Sequence, residues 1–181
     1  EDAADSDRRI LIHSARVRET LQVFRTAAIA RRVGQLEHLI CESFGHLIRK
    51  PDFVSAIKID PETFEVHLYD PRKREMPMSR LSAGESQLLA TAMLWGLARA
   101  SGRVVPTLID TPLGRLDSSH RRHLVERYFP QAAHQVILLS TDEEINQCHL
   151  DRLRPSVGNT YRLDYDPATR ATQIQEGYLF P

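Results

Sequence analysis

Cysteine is nearly absent from this chain, with only Cys41 and Cys148 present. Two isolated cysteines exclude a disulfide framework and a cysteine-based zinc motif. They fit small buried apolar groups in a reducing compartment, and a cytoplasmic location is expected. No apolar run approaches the roughly 18 residues of a membrane span. The opening EDAADSDRR has no apolar stretch of the kind a secretory leader needs. There is also no excess of charge. Twenty-four basic residues balance 24 acidic ones, which excludes binding to nucleic acid through bulk positive charge alone. Lysine is scarce, at Lys50, Lys58 and Lys73 only.

What is present is ordinary for a globular chain: 181 residues, 41% apolar and 27% charged. That length suits one domain with an appendage. From about Arg9 to Lys50 the pattern is helical. Ile10, Val17, Leu21, Phe24 and Ala28 form a narrow near-heptad stripe flanked by Arg16, Arg18, Arg25, Arg31 and Arg32. Val33, Leu36, Ile40, Phe44 and Leu47 continue it in a shifted phase, and Gly34 near the slip predicts a kink or a break between two helices. Two readings stand for this segment: a coiled-coil stem, or an amphipathic surface helix with a solvated Arg face. We set the boundaries at 1–50 for the stem and 51–181 for the lobe.

After Pro51 the period changes. Residues 54–60 and 63–69 alternate as two strands around the Asp60-Pro61-Glu62 turn. The spacing then predicts a helix over 84–101, a buried strand over 104–109, a helix over 117–128, a buried strand over 135–139, a short helix over 142–149, and closing strands over 159–165 and 171–175. Apolar strands alternating with helices predict an α/β fold with a mainly parallel sheet covered on both faces.

Two stretches carry chemistry. In Arg80-Leu81-Ser82-Ala83-Gly84-Glu85, Ser82 and Glu85 form a capping box. A helix start with free amides, a hydroxyl and a bare glycine is an anion site, although a plain helix start reads the same way. In Thr107-Leu-Ile-Asp110-Thr111-Pro112-Leu113-Gly114-Arg115-Leu116-Asp117, Asp110 ends a strand where α/β proteins bind ligands. One carboxylate there suffices for a hydrated Mg²⁺, and a simple strand-end turn is the alternative.

In order and spacing, three segments resemble the C-terminal lobe of ABC-type ATPases of the SMC/Rad50 kind, and more closely the DNA-phosphorothioation (DndD) family. They are LSAGESQLLATAMLWGLARASG, IDTPLGRLDSSHRRHLVERYFP and QVILLSTDEEI, which together cover about a third of the chain. The resemblance implies roles. Ser82, Ala83, Gly84 and Glu85 would be the signature motif that touches ATP held by an opposite protomer. Asp110 would be the Walker B acid, acting on Mg²⁺ through water. Gly114, Arg115, Leu116 and Asp117 would be the D-loop at the dimer interface. The Arg-rich helix would be one arm of a coiled coil. The partners implied are an N-terminal lobe bearing a P-loop, a second head, DNA and other sulfur-modification proteins, with no membrane.

Two positions depart from the family pattern. Thr111 stands where a glutamate usually orients the attacking water, and a hydroxyl is a poor general base. Ser140-Thr141 occupies the usual switch histidine position. Asp142, Glu143 or Glu144 would then supply the water-positioning carboxylate. No G-x-x-x-x-G-K-[ST] is present, and none of the three lysines follows a glycine, so the chain alone has no phosphate cradle. With no initiator Met, it reads as the C-terminal half of a split head. ATP turnover at a composite site is the function this implies. The alternative is a non-hydrolytic, nucleotide-gated scaffold.

Other constellations carry less. His120 and His123, three apart on a helix, read as part of a solvated basic face with Arg121 and Arg122 rather than as metal ligands. Ser82 lacks the glycine two residues before it that a nucleophile elbow requires. Met93, Trp95 and Leu97 read as core. Arg121, Arg122 and Arg127 suit either DNA phosphates or surface ion pairs.

Overall fold

The computed structural model describes residues 2–114 and 116–179. Helix α1 (Asp2–Leu47) is unbroken through Gly34 and starts well before Arg9. Its 46 residues reach roughly 70 Å at 1.5 Å per residue. The two apolar phases behave differently. Val33, Ile40, Phe44 and Leu47, with Ile48 just beyond, are buried in the core. Val17, Leu21 and Phe24 of the first phase stand exposed, Phe24 at 71%.

Strands β1 (Ala56–Ile59), β2 (Val66–Tyr69) and β3 (Glu75–Met76) form an antiparallel sheet in sequential order. Register places Ile57 opposite Leu68 and Leu68 opposite Met76, so alternate residues on one face form a buried apolar row. Glu37 of α1 holds β1, accepting the Ile59 N–H at 2.9 Å and pairing with Lys58 Nζ at 2.7 Å.

Helix α2 (Ala83–Ser101) lies along the buried half of α1 and presents Leu88, Leu89, Ala92, Trp95 and Gly96 to the core. The approach is closest at Gly96, where an added Cβ would meet Ile40 Cγ1 at 2.6 Å. The Trp95 ring packs edge-on against Tyr128 at 5.2 Å. Leu97, expected in the core, faces outward at 48% exposure, because the buried stripe runs through 88, 92, 95 and 96.

Strands β4 (Thr107–Asp110) and β5 (Val136–Leu139) supply the parallel pairing, with Leu108 opposite Ile137 and Asp110 opposite Leu139. The expectation of two covered faces is met on one face only. Ile109, Val136 and Leu138 pack against the core. Leu108 (63% exposed), Ile137 and Leu139 alternate with them and lie bare beside Asp110. Among the described residues, neither β4 nor β5 pairs with a further strand. Strands β6 (Tyr161–Asp166) and β7 (Ala171–Glu176) form an antiparallel hairpin, and its Tyr161, Leu163, Tyr165 and Ile174 are also exposed.

Helix α3 (Ser118–His123) widens into a π-helical turn over Leu124–Tyr128, with the Phe129 N–H reaching Leu124 O at 3.0 Å. His120 and His123 are buried here, contrary to the solvated face expected. His123 Nδ1 pairs with the Leu47 carbonyl at 2.9 Å, tying α3 to the end of α1. Helix α4 begins at Gln147 and ends at Leu153, later than the helix expected over 142–149, because Asn146 caps it by accepting the His149 N–H at 3.1 Å. Cys41 is half-buried, while Cys148 is exposed rather than packed inside. Among the described residues, no helix is long and apolar enough to cross a membrane.

Candidate functional site

The start of α2 is built as its sequence dictates. Ser82 adopts extended backbone and accepts the Glu85 N–H on Oγ at 3.2 Å, while Glu85 Oε2 accepts the Ser82 N–H at 2.8 Å. Ser82 and Ala83 are exposed, and Gly84 and Glu85 are half-buried. The tip therefore faces outward with the positive end of a 19-residue helix behind it.

Asp110 ends β4 on the bare face of the parallel pair, where its carboxylate is open to solvent. Thr111 follows in left-handed backbone at φ 50°, an uncommon conformation for a β-branched residue. Its N–H reaches Leu139 O at 3.0 Å, and its hydroxyl donates to Asp110 Oδ1 at 3.3 Å. The chain then turns through Pro112 and the fully buried Leu113, and Gly114 N–H closes back on Thr111 O at 3.4 Å. Gly114 packs tightly here, since an added Cβ would stand 3.1 Å from Thr111 Cγ2. One exposed carboxylate beside a hydroxyl suits a Mg²⁺ that keeps most of its waters and leans on phosphate. No cluster of three or more ligating side chains exists among the described residues, so an all-protein cage is not formed.

Of the segment 114–117, Arg115 lies outside the described residues. Leu116 is buried and Asp117 caps α3. Asp117 Oδ1 accepts the N–H groups of Ser119 and His120, both at 2.9 Å, and the Ser119 hydroxyl at 2.7 Å, while Oδ2 lies 3.1 Å from His120 Nδ1. The His120 N–H, followed by the Ser119 hydroxyl, pulls the Asp117 carboxyl down to about 2.

The three acids after β5 separate sharply. Asp142 and Glu143 are exposed. Glu144 turns inward, and its Oε1 accepts the N–H of Leu113 at 3.1 Å. The structure thus joins the turn after β4 to the turn after β5, and Glu144 is the only one of the three acids with a hydrogen bond to the first turn among the described residues. The sequence pattern at 142–144 does not mark Glu144 out from Asp142 and Glu143, and nothing local marks His149 or Tyr178, which hold this region through the carbonyls of Glu144 and Ile145. The tip of α2 makes no hydrogen bond to either turn among the described residues. Arg121 and Arg127 are used locally, donating to the Leu116 and His46 carbonyls at 2.9 and 3.1 Å.

No family model and no curated protein matches the chain. Solved structures do. One, from work on ATP-driven dimerisation and DNA-stimulated activation of SMC ATPases, superposes with a TM-score of 0.62 at 13% identity, over 85% of this chain and 90% of that one. The SMC head domain from Thermotoga maritima superposes with a TM-score of 0.54 at 15% identity, over 85% of this chain and 52% of that domain. The chain therefore spans about half of the Thermotoga head. Its mixed helical and sheet architecture, with one long leading helix and a parallel pair ending in Asp110, resembles in fold these solved SMC ATPase heads.

Proposed function

We propose that this chain is the C-terminal lobe of an SMC-type ATPase head. It completes an ATP site together with a lobe bearing a P-loop and with a second copy of the head. The observation that carries the reading is the bare face of β4–β5, where Leu108, Ile137 and Leu139 surround the exposed Asp110. A two-stranded parallel sheet with an open apolar face is an unfinished layer. Strands or helices of another lobe would cover it and bring bound phosphates to Asp110.

In this reading Ser82, Ala83, Gly84 and Glu85 offer the tip of α2 to the triphosphate of the opposite head. Asp110 orients hydrated Mg²⁺, and Asp117 shapes the segment that meets the second copy. Asp142 and Glu143, exposed after β5, are the carboxylates available to position water. Bound Mg²⁺ and ATP would supply the phosphoryl chemistry, which depends mainly on positioning and charge. The exposed stripe of Val17, Leu21 and Phe24 suits a second helix of a coiled-coil arm.

The specific role is support of DNA backbone phosphorothioation alongside other sulfur-modification proteins. It rests on the likeness of the three segments 81–102, 109–130 and 135–145 to that family. A second reading, nucleotide-gated dimerisation without turnover, is favoured by Thr111, a hydroxyl engaged with Asp110 where a carboxylate would serve hydrolysis. ATP turnover of the lobe reconstituted with its P-loop partner separates the two. Turnover that falls by about two orders of magnitude in Asp110→Asn supports hydrolysis. Dimerisation on ATP with no turnover supports the second reading, and neither dimerisation nor turnover rejects both.

A further inference from the structure

We propose that Glu144 is a positioning residue. It clamps the turn after Asp110 to the turn after β5, so that the two strand ends respond to a ligand as one body. For what the turns do, this rests on the ATPase-head reading; the clamp itself does not.

Glu144 Oε1 accepts the main-chain N–H of Leu113, a residue with no exposed surface. A buried amide that loses its acceptor exposes a lasting cost, so this bond holds the turn closed. The turn has little slack on the other side. The space beside Gly114 is bounded by Thr111 Cγ2 at 3.1 Å and by Glu144 Oε1 at 3.8 Å from where a Cβ would stand.

The carboxylate sits on a fixed base. The Glu144 carbonyl pairs with His149 Nδ1 at 2.9 Å, and the next carbonyl, of Ile145, accepts the Tyr178 hydroxyl at 3.0 Å. The Ile145 N–H closes on Thr141 O at 3.1 Å. Tyr178 also lies 3.3 Å from Ser140 Oγ, bringing the end of β5 into the same network. A shift of the loop at 140–145 is therefore passed to Leu113 through the Glu144 side chain, alongside the main-chain bond from Thr111 N–H to Leu139 O.

The geometry asks for an acceptor at Oε1 and not for a charge or a base. A glutamine supplies the same oxygen and an alanine supplies none. In the full chain, Glu144→Ala should raise amide hydrogen exchange at Leu113 by about tenfold to a hundredfold, the cost of an unpaired donor to a charged acceptor. Glu144→Gln should raise it clearly less, by no more than about tenfold, since a neutral acceptor keeps roughly half the strength of a charged one. Thermal melting checks the fold, and Tyr178→Phe, which frees the Ile145 carbonyl, should raise the same exchange to a smaller extent should Glu144→Ala not fold. In the reconstituted head, nucleotide-driven dimerisation and turnover should fall in Glu144→Ala and return in Glu144→Gln.

Parent-like exchange at Leu113 in Glu144→Ala overturns the clamp, as does parent-like exchange in Tyr178→Phe where that variant is the one measured. A Glu144→Gln variant that keeps Leu113 protected yet loses turnover overturns the positioning role, because the carboxylate then acts chemically. A parent head with no nucleotide response defeats the ATPase reading instead, while the exchange data still decide the clamp.

Discussion

Gly96 of α2 lies so close to Ile40 of α1 that a methyl group at Gly96 would stand 2.6 Å from Ile40 Cγ1 and 3.1 Å from its Cα. The side chain can turn aside but the backbone cannot. Gly96→Ala should therefore destabilise the chain by about 1–3 kcal/mol, despite alanine's better helix propensity. Denaturant unfolding followed by circular dichroism measures this, and a stability equal to the parent's shows that the two helices are free to separate.

Asp117 ties α3 to the turn before it, and its carboxyl is held down to about 2 by the His120 N–H and the Ser119 hydroxyl. A depressed native value means that the folded state favours the carboxylate. The stabilisation is complete above the ordinary range near 3.9 and is lost as pH falls towards 2. Asp117→Ala should cost about 0.5–2 kcal/mol at pH 7, and the difference from the parent should shrink between pH 4 and 2. Asp117→Asn should keep most of the cap and lose the pH dependence. Melting curves at several pH values are the test.

At the tip of α2, Ser82→Ala removes the acceptor for the Glu85 N–H and should cost about 1 kcal/mol. Ser82→Arg should fold comparably, since the position is exposed, yet block dimerisation driven by a γ-phosphate analogue. Size-exclusion chromatography with light scattering, with and without nucleotide, reads the outcome. Dimerisation that survives Ser82→Arg would remove this helix tip from the proposed site.

Leu108 is exposed on the open side of the parallel pair. Leu108→Asp should change the stability of the chain alone by no more than about 0.5 kcal/mol. The same substitution should abolish association with a P-loop lobe, because it places a charge in the layer to be closed. Co-purification of the two lobes decides the matter, and an undiminished complex places the partner elsewhere.

Neutralising Asp142 and Glu143 together should lower turnover of the reconstituted head while nucleotide binding persists. Single-turnover kinetics alongside equilibrium binding of a fluorescent analogue separates the two effects. Unchanged turnover excludes these acids as the groups that position water.

Features that depend on neighbours in sequence were legible in the chain. Ser82 and Glu85 are three residues apart, and Asp60 organises its own turn by accepting the N–H groups of Glu62 and Thr63 at 2.8 and 2.9 Å. The long helix follows from its apolar spacing. Features that depend on distant partners were not legible. Strand β3 exists because Met76 finds Leu68, and Glu144 meets Leu113 across 31 residues with no local sign of it. The histidines of α3 looked solvated beside two arginines, but the Leu47 carbonyl captures His123. The apolar run before Asp110 reads as buried because composition reports what a face requires, not which element covers it. At 142–146, the acids resembled a first helical turn, and Asn146 took the cap instead.

Thr111 holds a left-handed backbone at φ 50°, where its branched side chain is crowded. A conformation of that kind carries about 1–3 kcal/mol. The turn after β4 therefore keeps its shape against a local cost, which the bonds from Thr111 N–H to Leu139 O and from Leu113 N–H to Glu144 Oε1 must offset. Glycine at 111 would carry no such cost, so the side chain there is held at the expense of backbone ease.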